Sequence, residues 1–192
     1  MIYDKTIKEM LENSIQVKQG FLADDISISR ISSAAEALIE CYKKGGKALI
    51  FGNGGSAADS QHMAAELVVR FEKDRKGLPA IALNTNTSTL TATGNDYDFK
   101  AIFSRQIDAL AEPSDVVVAI STSGTSGNVV EGARAARKKG VTVIALTGRD
   151  GGELARLADI PIVVKNNNTA RIQEVHIFII HALCKLTEDA VG

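Results

Sequence analysis

The sequence predicts an α/β fold, a three-layer, doubly wound, mostly parallel five-stranded sheet with long N- and C-terminal helices. Three observations lead there. Short continuous apolar runs such as Asp115-Val-Val-Val-Ala-Ile120 suit strands buried on both faces. Stretches of helical period lie between them, and strands alternating with helices are the pattern of a parallel sheet with crossover helices. Two of the runs end in Gly/Ser/Thr turns that open directly into a helix, at Gly52-Asn-Gly-Gly-Ser56 and at Ser121-Thr-Ser-Gly124.

Residues 3–44 read as two helices separated near Leu22 to Asp25. Ile7, Met10, Leu11, Ile15 and Val17 recur near helical spacing in the first, and Ile31, Ala35, Leu38 and Ile39 in the second. Gly45-Gly46 stops the second helix, and Lys47 to Phe51 forms the first strand. Residues 57–71 follow as a helix, then Ala80 to Leu83 as a short strand after Pro79. Thr87 to Gly94 and Tyr97 to Leu110 read as helices with Gly94-Asn95-Asp96 as the turn between them. Asp115 to Ile120, Val141 to Leu146 and Ile160 to Val164 complete the strands, with helices near 128–139 and 152–157. Arg171 to Ala190 is one long helix, apolar on more than one face. No Gly/Ser linker, low-complexity tract or charge block interrupts the chain, so residues 1–192 read as a single domain.

Composition narrows the function. The chain is 45% hydrophobic with three prolines, which fits a compact fold and not a disordered one. With 22 basic and 23 acidic residues it has no global attraction to nucleic acid or to an anionic membrane, so any affinity for phosphate must be local. The N-terminus lacks the apolar core of a signal peptide and no apolar run has the length of a membrane span, so a soluble, cytoplasmic protein is expected. Cys41 and Cys184 lie far apart within apolar helical patterns and read as reduced core residues.

The chemistry concentrates in the two turns and in two helices. Gly54 and Gly55 let backbone N–H groups approach a phosphate, and Ser56 can cap the following helix and offer a hydroxyl. The second turn, Ser121 to Asn128, carries five hydroxyl side chains in front of a helix N-terminus with its own free N–H groups and partial positive charge. Neither turn matches the nucleotide-binding glycine patterns, which makes ATP and dinucleotides poor candidates. Behind the first turn, His62 and Glu66 stand one helical turn apart on one face, an imidazole and a carboxylate able to move protons or hold a metal. The C-terminal helix adds Gln173, Glu174, His176 and His181 among apolar neighbours. Gln173 and His181 are eight residues apart, about 12 Å along a helix axis. Two copies of that helix are therefore expected to meet if both residues serve one site, which points to an oligomer with sites at subunit interfaces.

Gly52-Asn-Gly-Gly-Ser56, Gln61-His62 with Glu66, Gly94-Asn95-Asp96, Ile120-Ser-Thr-Ser-Gly124 and Arg171-Ile-Gln-Glu174 with His181 together resemble the sugar isomerase (SIS) domain family. Over essentially the whole length they resemble its branch acting on phosphorylated seven-carbon sugars. That resemblance implies conversion of sedoheptulose 7-phosphate to D-glycero-D-manno-heptose 7-phosphate through an enediol, the first step toward activated heptose for lipopolysaccharide core or surface polysaccharide. It implies that Asn53, Gly54, Gly55, Ser56, Asn95, Asp96, Ser121, Thr122, Ser123 and Ser126, with Glu66 and Gln173, hold the substrate. It implies one zinc ion per subunit held by His62, Glu66, Gln173 and His181, and a homotetramer. Glu66 is then the base at C2, and His181 the proton shuttle that also helps open the sugar ring. Ala170 departs from members of the family with an acidic residue before Arg-Ile-Gln, which touches a substrate contact or a helix cap.

The rival reading is a non-catalytic member of the same fold that assists assembly at a replication initiator. Ala80-Ile-Ala-Leu-Asn84, the Ser121-Thr122 turn and Arg171-Ile-Gln-Glu174 are shared with it, but those relatives lack the carboxylate and histidine that stand here as Glu66 and His181.

Overall fold

The computed structural model describes residues 2–192. Five strands, β1 (Ala48–Gly52), β2 (Ala80–Ala82), β3 (Val116–Ser121), β4 (Thr142–Gly148) and β5 (Ile160–Val164), lie in the order β2-β1-β3-β4-β5. Every neighbouring pair is parallel. The register sets Gly52 beside Ile120 and Ser121 beside Thr147, so the carboxyl ends of β1, β3 and β4 open on one edge. From β1 the chain builds first to one side and then to the other. The crevice between β1 and β3 is thus the switch point, where open parallel sheets bind ligands.

Helices α1 (Asp4–Leu22), α2 (Asp25–Lys43), α3 (Gly55–Val68), α4 (Thr87–Asp96), α5 (Ser104–Leu110), α6 (Gly127–Lys138), α7 (Gly152–Leu157) and α8 (Thr169–Val191) cover the sheet. The continuous apolar strands serve two cores at once, because alternate side chains leave opposite faces of a strand. Ile50, Val116, Val118 and Ile120 pack beneath Leu38, Met63, Leu67, Ile172 and Ile179 of α2, α3 and α8. Leu49, Phe51, Val117 and Ala119 pack on the other face against Ile107, Val129, Val130 and Leu154 of α5, α6 and α7. Cys41 and Cys184 are buried and free, with burial pushing their thiols up to about 11 and about 12.

Three expectations need correction. Gly94-Asn95-Asp96 is not a turn between helices but the last turn of α4, a helix started by Asn86, whose side chain accepts from the Thr89 N–H. Tyr97 to Leu110 is not one helix: Asp98 accepts from the Lys100 N–H and starts a 3-10 turn, Phe99–Ala101, and α5 begins only at Ser104. The helix expected to reach residue 71 ends at Val68 because the N–H groups of Phe71, Glu72 and Lys73 turn to the Glu188 carboxylate instead of to carbonyls one turn back.

Candidate active site

The two turns meet across the switch point. At the end of β1, a side chain on Gly52 would come within 2.8 Å of the Ile120 carbonyl oxygen and 2.7 Å of the Ser56 Cβ, so only glycine lets β1, β3 and α3 approach this closely. Gly54 then adopts φ +55, a conformation that favours glycine, and caps α3 without a side-chain bond. Ser56 is therefore not the cap. It lies one residue inside α3, 3% exposed, its N–H bonded to the Asn53 carbonyl oxygen at 3.0 Å.

The second turn folds its hydroxyls onto one another. Ser121 Oγ lies 3.0 Å from Ser126 Oγ and 3.4 Å from Ser123 Oγ, and Thr125 donates to Ser123 Oγ through its N–H and its hydroxyl. Thr122 is half-buried within the same turn. Ser126 caps α6 through its backbone alone. The N-cap residues of α3 and α6 thus offer no side-chain acceptor to the first-turn amides, and both helix N-termini carry positive partial charge toward the crevice.

Asn53 and Asn128 bolt the two turns together. Asn53 Nδ2 donates to Asn128 Oδ1 at 2.8 Å, and Asn128 Nδ2 donates back to Asn53 Oδ1 at 2.9 Å. Asn128 Oδ1 also accepts from the Val129 N–H at 2.9 Å. The sequence reading passes over Asn128, although its place directly after the hydroxyl-rich run was the available signal.

Helices α3 and α8 form the side wall. Gln173 lies so close to Gly55 that any side chain there would collide with its amide. Two turns further along both helices, His62 Nε2 is 3.1 Å from His181 Nε2 and 3.3 Å from Glu66 Oε1. Phe71 stacks obliquely on His181, with ring centroids 5.5 Å apart. Gly55, Asp59, His62 and Glu66 occupy one stripe of α3 at intervals of four, three and four residues. Asp59, also passed over by the sequence reading although that spacing announces it, buries Oδ2 without a partner. Burial pushes its carboxyl up to about 6, partly offset by His62.

The expected residues do not all converge within one chain. Asn95 and Asp96 are exposed, and Asn95 Nδ2 donates to Asp96 Oδ1 at the end of α4, with no hydrogen bond to either turn among the described residues. Gln173 stands at the Gly55 end of the wall, not beside His62. The four residues expected to hold zinc are therefore not gathered by one copy, and among the described residues no group of three or more His, Cys, Asp and Glu side chains closes on a metal position. What one chain does provide is His62 in reach of both Glu66 and His181. Two nitrogens and an oxygen are donor types that zinc accepts. The Ala170 departure leaves the cap of α8 intact, because Asn168 accepts from the N–H groups of Ala170 and Arg171.

Comparison with known proteins gives a consistent picture. The family model of the SIS domain matches residues 17–148. A phosphoheptose isomerase of Trichlorobacter lovleyi is 55% identical over 161 residues, covering 84% of this chain and 82% of the relative. The solved phosphoheptose isomerase of Neisseria gonorrhoeae superposes with a TM-score of 0.90 at 45% identity, over 96% of this chain and 98% of the other. That of Francisella tularensis superposes with a TM-score of 0.93 at 38% identity, over 98% of this chain and all of the other.

Proposed function

The chain belongs to the SIS domain family, and on that premise we propose that this aldose-ketose isomerase interconverts sedoheptulose 7-phosphate and D-glycero-D-manno-heptose 7-phosphate. The observation that carries the reading is the placement of an imidazole and a carboxylate pair, His181 and Glu66, on either side of His62, at one end of a wall whose other end is an anion cradle. Gly55 and His62 are seven residues apart, about 10 Å along α3, which suits a long sugar with its phosphate at the turns and its carbonyl carbons beside Glu66 and His181.

The phosphate rests against the Ser121 to Ser126 hydroxyls and the N-terminus of α6, and the amides of Asn53 to Gly55 orient the sugar. Glu66 carries the proton between C1 and C2 by way of the enediol, and His181 exchanges protons with the sugar oxygens and assists ring opening. Zinc, when bound by His62, Glu66 and His181 with Gln173 supplied by a second copy, adds Lewis-acid polarisation of the carbonyl. A homotetramer is supported by α1, where Ile7, Met10 and Leu11 stand 60%, 53% and 61% exposed and need a neighbour. The product would feed activated-heptose synthesis, and among the described residues no helix is long and apolar enough to cross a membrane.

The test is turnover of sedoheptulose 7-phosphate by the purified protein before and after chelation. Conversion to the aldose, lost on chelation and restored by zinc, is expected. Absence of conversion by folded, zinc-supplemented protein would replace the reading with the non-catalytic alternative.

A further inference from the structure

The strongest polar construction outside the pair Glu66 and His181 is a fully buried carboxylate behind them. Glu188, on the last turns of α8, is 0% exposed. Its Oε1 accepts from the Phe71 N–H at 2.9 Å and from Arg75 Nε at 3.0 Å, and its Oε2 accepts from the N–H groups of Glu72 and Lys73 at 2.8 and 2.9 Å. Three successive backbone amides on one carboxylate form an anion nest, here occupied by the protein's own side chain. Burial alone would raise this carboxyl, but the amides and the Arg75 charge outweigh it and hold it down at about 2. Glu188 is an anion at any ordinary pH.

Two of the four donors, Phe71 and Arg75, lead to residues of the active site. Phe71, held by its N–H, lays its ring against His181. Arg75, held by its Nε and 2% exposed in its side chain, turns its other nitrogens onto the last turn of α3. There Nη2 donates to the Glu66 carbonyl oxygen and Nη1 to the Leu67 carbonyl oxygen, each at 2.9 Å. A cation at a helix C-terminus is favourable on its own. Without the carboxylate behind it, however, the buried guanidinium would lose its charged partner and keep only carbonyl oxygens, and segment 71–73 could wind on as helix.

We propose that Glu188 is a positioning residue for the isomerase site, acting through Phe71 on His181 and through Arg75 on Glu66, so that one buried carboxylate sets the approach of the two proton-transfer groups. Substrate never reaches Glu188. Its effect is on the alignment of groups that do, where displacements of about 1 Å can cost roughly 100-fold. The inference rests on the isomerase reading for its kinetic consequence, but not for its geometric one.

Glu188→Gln keeps the shape and turns one acceptor oxygen into a donor that faces donors. In the full-length protein, kcat for sedoheptulose 7-phosphate should fall roughly tenfold or more while KM stays within about threefold. The chain has three histidines, so their ring resonances can be followed individually. Those of His62 and His181 should move and that of His176 should not. A folded Glu188→Gln protein with kcat within about twofold of the parent and unmoved His181 resonances overturns the proposal. If Glu188→Gln does not fold, Phe71→Leu decides, because it leaves the nest intact and removes only the ring beside His181. A drop in kcat of about threefold or more with His181 displaced supports the proposal, and unchanged values refute it. If the parent protein does not turn over the sugar at all, the isomerase reading fails and the histidine resonances alone judge the positioning.

Discussion

Asn53 and Asn128 exchange two hydrogen bonds, 2.8 and 2.9 Å long, across the gap where β1 and β3 part. Each amide satisfies the other, so the two turns are held at one separation by a pair of neutral groups and not by charge. Replacing Asn128 with Asp removes the donor to Asn53 Oδ1 and adds a negative charge beside the cradle. An orphaned amide oxygen costs about 1–3 kcal/mol, and the charge opposes a phosphate. We expect Asn128→Asp to raise KM for the phosphorylated sugar by about tenfold or more with a small loss of thermal stability, as measured by steady-state kinetics and thermal melts. An unchanged KM would remove the pair from substrate binding.

Glu66→Gln keeps the side-chain shape and removes its basicity. Turnover should fall by about 10²- to 10⁴-fold with the fold and assembly intact. Near-normal kcat would take Glu66 out of proton transfer.

The hydroxyl turn should respond in KM. Ser121 lies at its centre, within 3.0 Å of Ser126 Oγ and 3.4 Å of Ser123 Oγ, so Ser121→Ala removes a direct donor and loosens its neighbours. Ser123→Ala also releases Thr125. Both should weaken binding of the phosphorylated substrate. Values of KM and kcat unchanged in both would place the phosphate elsewhere.

Subunit mixing separates the two ends of the wall. Since His62 touches both Glu66 and His181 in one chain, a mixture of Glu66→Gln and His181→Ala proteins should regain no activity even after subunit exchange. Gln173 stands apart from them, so a mixture of Glu66→Gln with Gln173→Ala should regain activity where a second copy supplies Gln173. Recovery in the first mixture would mean that Glu66 and His181 act from different chains.

His176 makes a pH test of stability. It is 0% exposed, with Nε2 3.0 Å from the Thr147 carbonyl oxygen, and burial lowers its pKa from the ordinary 6.5 to about 4 despite that bond. As pH falls below 6.5 the unfolded chain takes up a proton that the folded chain refuses until about 4. This contribution to stability is complete above pH 6.5 and is lost as pH falls from there toward 4, with a slope of at most about 1.4 kcal/mol per pH unit. Between pH 7 and 5, urea unfolding should show a larger loss for the parent than for His176→Gln. Equal losses would mean that His176 is protonated in the folded state.

The strands and both Gly/Ser/Thr turns were legible in the sequence. A continuous apolar run such as Val116 to Ile120 has few ways to be buried, and a Gly/Ser/Thr turn between such a run and a helix has few places to go in a parallel sheet. Glu66 and His62 were legible too, because helical period puts residues four apart on one face. The tertiary structure decided what depends on separate segments meeting. Neither the amide pair of Asn53 and Asn128, 75 residues apart, nor the contact of His62 with His181, 119 apart, has a local signal. The end of α3 was likewise invisible locally, since residues 69–71 continue a helical pattern and only a carboxylate 117 residues away, Glu188, draws the Phe71 amide out of it. Local sequence sets which conformations are cheap, but a buried charge that needs its donors chooses among them, and that choice exists only once the chain has closed on itself.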